Sequence, residues 1–495
     1  MTEERSPADA PVSARRLASG AAWTYGSQLV GVVAQFGYAA VTSRLVGPEQ
    51  FGIYAITLAI TALVTLLATG GLGQTVGRLQ EVLPSTVHAL CTLALLLGLA
   101  SAAVLGLAAP LWAGLWSTPE ATPAVAVMAI SAFTAPFYGL VTGLVRRLGH
   151  FRLLAAQQLI GTLAGMGAGV VAVLLSRTDI SLLVSPIVAQ LLTTVLCAWT
   201  SRRHLGLGRL GGAVAELSFS AKLTVASVLS YGVGNVTRIV ATGALGPSAI
   251  GYWNRAEVIS IIPFQQVQTA LIQTIYPEFR HDREGTERAR RVWTDLLVIT
   301  GWGLMVVAAV GALAVPALVT VLLGPQWSAA RVLVPILMFA GAVQAVGTIL
   351  AAAIEAVGRF AWVWSTQIAL LVLQGLLAVA IVLTHSLVVA VAGILVTSVV
   401  RQVWQGVLCT RKGYLDGRRL LASSAAAAAV CVGTWAVLAT ILLWVGPTLL
   451  NTAICLVAVV GVALLARKRI AALPVVRLMA GYGLLPGARG RRAAR

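Results

Sequence analysis

Apolar stretches of roughly 20 residues, separated by short polar gaps, recur about every 35 residues along the whole sequence. This recurrence narrows the fold more than any motif does, because roughly 20 apolar residues in a helix span about 30 Å, the hydrocarbon thickness of a bilayer. Of 495 residues, 58% are hydrophobic and 10% charged, and the mean hydropathy is +0.90. A typical soluble domain carries roughly 25% charged residues. The expected fold is therefore all-α: a polytopic membrane protein of about fourteen transmembrane helices with no room for a sizeable soluble domain.

The formal charge is +19 and the isoelectric point about 10.9. In a soluble protein such basicity would point to nucleic acid. Here its placement gives another explanation. With the N-terminus set in the cytoplasm, 29 of the 35 Lys and Arg residues fall in the inner segments and the two tails. The outer loops hold only Arg44, Arg177 and Arg331, while Arg238, Arg255 and Arg401 lie within helices. This alternation is the positive-inside pattern, and it places both termini in the cytoplasm. Nucleic acid is not an expected partner; the basic tail from Arg467 reads as an anchor to anionic membrane lipids.

Cys91, Cys197, Cys409, Cys431 and Cys455 fall in apolar segments at unrelated spacings and read as small hydrophobes. His88, His150, His204, His281 and His385 are scattered, so neither a metal site nor a cofactor is expected. Arg15 and Arg16 precede an apolar run of roughly 25 residues, longer than the 7–15 of a signal-peptide core, so the first helix should be retained.

One stretch occurs twice. Val46-Gly47-Pro48-Glu49-Gln50-Phe51-Gly52-Ile53-Tyr54 is echoed 199 positions later by Leu245-Gly246-Pro247-Ser248-Ala249-Ile250-Gly251-Tyr252-Trp253. Each copy separates two long apolar segments, where Gly in the left-handed region would close one helix and Pro would start the next. Gly149-His150-Phe151 is mirrored by Gly358-Arg359-Phe360, and Gln158 by Gln367, both at an offset of 209. These anchors divide the chain into a tail (1–16), an N-lobe of six helices (17–201), a linker (202–217) and a C-lobe of six helices (218–409). Two extra helices with a preceding basic loop (410–466) and a basic tail (467–495) follow. The linker segment Gly206-Leu207-Gly208-Arg209-Leu210-Gly211 matches G-x-G-x-x-G but lacks the strand and βαβ context of a nucleotide site.

Polar residues inside the expected spans are the functional candidates. In the first helix, Gln28, Gln35 and Thr42 are seven apart and share a face with Gly31 and Tyr38. They serve either as interhelical glue or, taken together, as the wall of a water-filled cavity. The second helix is expected to run from about Phe51 to Gly77, with Gly70-Gly71-Leu72-Gly73 permitting a bend, the close approach of another backbone or a loosely wound end. Gly161, Gly165, Gly167 and Gly169 of the fifth helix form a small-residue stripe suited to packing.

The seventh helix (219–245) places Ser227, Tyr231, Asn235 and Arg238 near one face, and the eighth (250–276) holds Asn254, Arg255, Glu257, Gln265, Gln266, Gln268 and Gln273. Arg at a bilayer centre costs about 2.5–3.5 kcal/mol on insertion scales, so Arg238 needs a partner, a cavity or a snorkelling position. The cavity candidates are Gln28, Gln35, Asn235, Arg238, Arg255, Gln265 and Gln268, and the candidate ion-coupling carboxylates are Glu257 and Glu355.

The hairpin Arg44-Leu45-Val46-Gly47-Pro48-Glu49-Gln50-Phe51-Gly52-Ile53-Tyr54 resembles the N-terminal signature of the polysaccharide transporters. These are the oligosaccharide-lipid flippases of the multidrug/oligosaccharidyl-lipid/polysaccharide exporter superfamily. The second hairpin with Asn254-Arg255-Ala256, Pro263 and Tyr276-Pro277-Glu278-Phe279 resembles the same family, particularly its O-antigen, exopolysaccharide and teichuronic acid branch. The resemblance implies two six-helix lobes alternating around a central cavity lined by the first, second, seventh and eighth helices. It implies a polyprenyl-diphosphate-linked glycan as cargo, moved across a bacterial plasma membrane. Polysaccharide polymerase and glycosyltransferases are the candidate protein partners. Amides and hydroxyls suit sugar hydroxyls, and Arg suits a diphosphate.

Three alternatives stand beside this reading. A cation-coupled drug exporter of the same superfamily commonly carries a carboxylate in the first lobe, and no Asp or Glu falls within the first six expected helices here. A flippase for the peptidoglycan precursor shares the architecture. A membrane enzyme is disfavoured by short outer loops nearly free of charge. The chain is expected to transport, not to catalyse.

Overall fold

The computed structural model describes residues 14–69, 71–79, 82–210, 214–281, 287–446, 448–465 and 474–481. They form α1 (Ala14–Leu45), α2 (Pro48–Thr69), α3 (Leu72–Arg78), α4 (Pro84–Leu107), α5 (Ala109–Leu115), α6 (Thr122–Val127), α7 (Ala129–Arg147), α8 (Phe151–Ser176) and α9 (Asp179–Ser201). Then come α10 (Val214–Leu245), α11 (Pro247–Ser260), α12 (Ile262–His281), α13 (Glu287–Leu323), α14 (Ala330–Ala356), α15 (Phe360–Thr384), α16 (Leu387–Arg411), α17 (Gly417–Val445), α18 (Leu449–Leu465) and α19 (Pro474–Gly481).

Among the described residues, nine helices are long and apolar enough to cross a membrane, and ten if the bent pair α6–α7 is one span. The other four expected spans coincide with α1, α10, the pair α11–α12 and the 17-residue α18. Large apolar side chains stand exposed along these helices, Leu175 at 83% and Trp444 at 88% among them. In a chain with this many spans, such side chains face lipid. The fold is that of an all-α polytopic membrane protein.

Three expected helices are broken where their sequences permit it. The second ends at Thr69 and restarts as α3 after Gly71, which holds φ 73, a left-handed conformation that suits glycine. The fourth bends by 44° between α6 and α7. The eighth breaks at Ile261, two residues before Pro263, whose ring excludes a regular helical path through the preceding turn.

The repeated anchors have matching geometry at one pair and differing geometry at the other. Gly149 and Gly358, 209 positions apart, have φ 79 and 80 and precede α8 and α15. Those two helices end alike, on Arg177 and His385 at φ 44 and 47. At the hairpins, Pro48 and Pro247 start α2 and α11 as expected, but only Gly246 adopts the left-handed side, at φ 80. Gly47 does not, which corrects the expectation that both glycines close their helices in that way.

Contacts group the chain into two units, Met1–Val46 with Ile53–Tyr231, and Gly47–Gly52 with Gly232–Arg495. In the first, α8 packs on α9 through Gly161, Gly165 and Gly169, one helical turn apart. A Cβ on Gly165 would lie 2.9 Å from Ala189 N, whereas Gly167 points into open space. The segment after α9 is fastened to α4: Thr92 Oγ1 donates to Gly208 O (2.9 Å) and accepts from Gly208 N (3.0 Å). The His88 ring fills the space beside Gly206, and the His88 Cβ and the α4 backbone fill that beside Gly208. These two glycines therefore serve close packing, consistent with the linker reading of the G-x-G-x-x-G match.

In the second unit, α14 is central, packing on α11, α12, α13, α15 and α16, with Leu337, Ile349 and Leu350 fully buried. Polar contacts tie α17 to α13: Asp295 Oδ1 to Arg419 Nη1 (2.7 Å), Trp302 Nε1 to Ser423 Oγ (2.9 Å) and Trp435 Nε1 to Ala312 O (3.3 Å). The hairpin segment 47–52 belongs to this unit. Gly52 packs against the Pro247 carbonyl and Gly251 against that of Pro48, so closely that a Cβ on either would overlap it.

Candidate functional site

The second unit contains a cavity of about 130 Å³ among α10, α11, α12, α14, α15 and α16. Helical periodicity builds its walls. On α10, Val233, Gly234, Thr237 and Arg238 fall on one face, and on α16 Ile394, Thr397, Ser398 and Arg401 do the same. Trp253 and Glu257 are one turn apart on α11. Ile261 at the break, Gln265 of α12, Gln344 of α14 and Gln374 of α15 complete the lining.

Three charged side chains meet here. The Arg238 guanidinium pairs with the Glu257 carboxylate, and its charge also lies 5.1 Å from the centroid of the buried Trp253 ring. The second cation, Arg401, makes no ion pair or hydrogen bond among the described residues. Its stem runs along α14 beside Gly347, where a Cβ would lie 3.7 Å from Arg401 Cδ. Thr397 Oγ1 donates to Gly393 O (2.7 Å) and accepts from Gln374 Nε2 (3.4 Å), and Ser398 Oγ donates to Ile394 O (2.8 Å). Gln374 Oε1 is buried without a hydrogen bond among the described residues. The cavity thus carries one net positive charge, with amides and hydroxyls around it.

Of the sequence candidates, Arg238, Glu257 and Gln265 come together in this cavity. Asn235 and Gln268 are half-buried on the same helices but do not line it. Arg255 is 5% exposed, and its guanidinium lies 3.7 Å from the centroid of the Phe51 ring, outside the lining. Glu355 is exposed near the end of α14. Gln35 is half-buried in the first unit, and the Gln28 side chain lies outside the described residues. The sequence reading does not single out Gln344, Gln374, Thr397 or Ser398, and it gives Arg401 no role. The available signal was an arginine in the middle of an apolar span.

The fold is shared with solved transporters. Lipid II flippase MurJ, in an inward closed conformation, superimposes with a TM-score of 0.63 at 9% identity, covering 90% of this chain and 99% of MurJ. An inward-facing multidrug resistance transporter of the MATE family and MOP superfamily superimposes with a TM-score of 0.57 at 16% identity, covering 77% of this chain and 95% of the other.

Sequence relatives point to a narrower group. The lipopolysaccharide biosynthesis protein WzxC of Escherichia coli (strain K12) is 22% identical over 339 residues, 66% of this chain and 68% of WzxC. The succinoglycan biosynthesis transport protein ExoT of Rhizobium meliloti (strain 1021) is 26% identical over 328 residues, 64% of each chain. The teichuronic acid biosynthesis protein TuaB of Bacillus subtilis (strain 168) is 22% identical over 386 residues, 76% of this chain and 79% of TuaB. The family model described as polysaccharide biosynthesis protein matches residues 41–332, more than half of the chain, and the protein belongs to that family.

Proposed function

We propose that the protein moves a polyprenyl-diphosphate-linked oligosaccharide from the inner to the outer leaflet of a bacterial plasma membrane by alternating access, without altering it chemically, for cell-surface polysaccharide synthesis. The observation that carries this reading is a cavity of net positive charge, lined by amides and hydroxyls, in a helix bundle of which α14, α15 and α16 are apolar enough to span a membrane. Polar groups buried in hydrocarbon are costly unless they serve a polar guest. Relatives named for lipopolysaccharide, succinoglycan and teichuronic acid synthesis support the glycan class.

In this reading both chain ends face the cytoplasm, as the distribution of Lys and Arg supports. Gln35, Asn235, Arg255 and Gln268 then act elsewhere along the transport path than in the second unit's cavity. Deleting the gene tests the proposal. A lipid-linked oligosaccharide should accumulate on the inner leaflet and disappear when the wild-type gene is restored. Accumulation of the peptidoglycan precursor instead, or drug sensitivity with normal glycan export, would refute it.

A further inference from the structure

We propose that the second unit's cavity is a binding site for a single phosphoryl group, with Arg401 as its cation. Arg238 is committed to Glu257, so the cavity's unbalanced charge is that of Arg401. Arg401 lies in the middle of α16, where a charge without a counter-ion is costly, and none of the described residues supplies one. The stem of Arg401 runs beside Gly347 of α14, and its position lines the cavity.

Gln374, 6% exposed, has a carboxamide whose Oε1 is an unpaired acceptor, which a phosphoryl group meets only through a P–OH proton. At about 130 Å³ the cavity is far smaller than the roughly 300–1,000 Å³ of drug-sized sites, so it takes one small group and not a glycan chain. A guanidinium fork beside the Gln344 amide matches the several oxygens of a phosphoryl group better than a spherical halide. The phosphoryl group comes either from the lipid-linked cargo or from inorganic phosphate; the first source rests on the transport reading above, the second does not.

The test is thermal unfolding of the purified full chain in nanodiscs, titrated with inorganic phosphate, with a short-chain polyprenyl phosphate, and with chloride at matched ionic strength. Either phosphoryl compound should raise the unfolding temperature of the wild type, and chloride should not. Response to inorganic phosphate identifies a free-anion site, and response to the lipid alone identifies a headgroup site. R401Q should weaken the apparent affinity by about tenfold or more.

If R401Q folds poorly, S398D decides the matter. It places a carboxylate one turn before Arg401 on the cavity face, where the two can pair, and it should abolish the response. A response equal in wild type, R401Q and S398D, an equal response to chloride, or no response to either phosphoryl compound overturns the site. No response in the wild type while the lipid-linked oligosaccharide still accumulates in the deletion strain would sink the site alone; a wild-type response without that accumulation would sink the transport reading alone.

Discussion

Glu257 on α11 pairs with Arg238 on α10 across the wall of the second unit's cavity. Both side chains are mostly shielded, at 18% and 30% exposure for Arg238 and Glu257, so removing one leaves the other poorly compensated. E257Q should cost about 1–3 kcal/mol, and R238Q a similar amount. The double variant should recover part of the loss, because no charge is then stranded. Apparent unfolding temperatures of the four proteins measure the coupling, and strict additivity would show that the pair is incidental.

Gly52 and Gly251 admit no side chain in this conformation, because each would drive a Cβ into a backbone carbonyl of the other hairpin. G52A and G251A should each reduce glycan export strongly at unchanged expression. G37A, on α1 with nothing within 4 Å, should leave export near wild type. Export assays in a deletion strain compare the three.

The stripe on α8 makes a prediction with an internal control. G165L should cost well over 1–3 kcal/mol, roughly the usual range for overpacking, because the clash is partly with the α9 backbone, and little folded protein should be recovered. G167L, two residues away and facing open space, should be recovered at wild-type yield. Detergent extraction followed by size-exclusion chromatography distinguishes them.

The tie between α13 and α17 should respond unequally to loss of either end. Asp295 is 5% exposed and Arg419 45%. R419Q removes one partner of a buried carboxylate and should cost about 1–3 kcal/mol. D295N leaves an arginine that water can reach, at a cost of about 1 kcal/mol or less. The order of their unfolding temperatures checks this, with D295N expected to be the higher.

The sequence made the helical membrane fold legible because spanning length and charge asymmetry are written in runs of residues, with no need of tertiary information. It also disclosed Arg238 and Glu257, since charge inside an apolar span stands out wherever it occurs. Gln374 and Gln344 did not stand out: each is a single amide in its own helix, and their significance arises only when α14 and α15 turn them toward one cavity. Arg255 shows the converse. Its position between Asn254 and Glu257 suggested the cavity, but residues 254, 255 and 257 do not share a helical face, and packing turned Arg255 onto Phe51. The break at Ile261 was missed because an apolar run conceals how Pro263 interrupts it.

Every residue lining the cavity lies between Val233 and Arg401, within one unit. Its complement of charge and amide is therefore assembled by the folding of that unit. A guest there would meet only groups that fold together, so its affinity would follow the packing of these six helices.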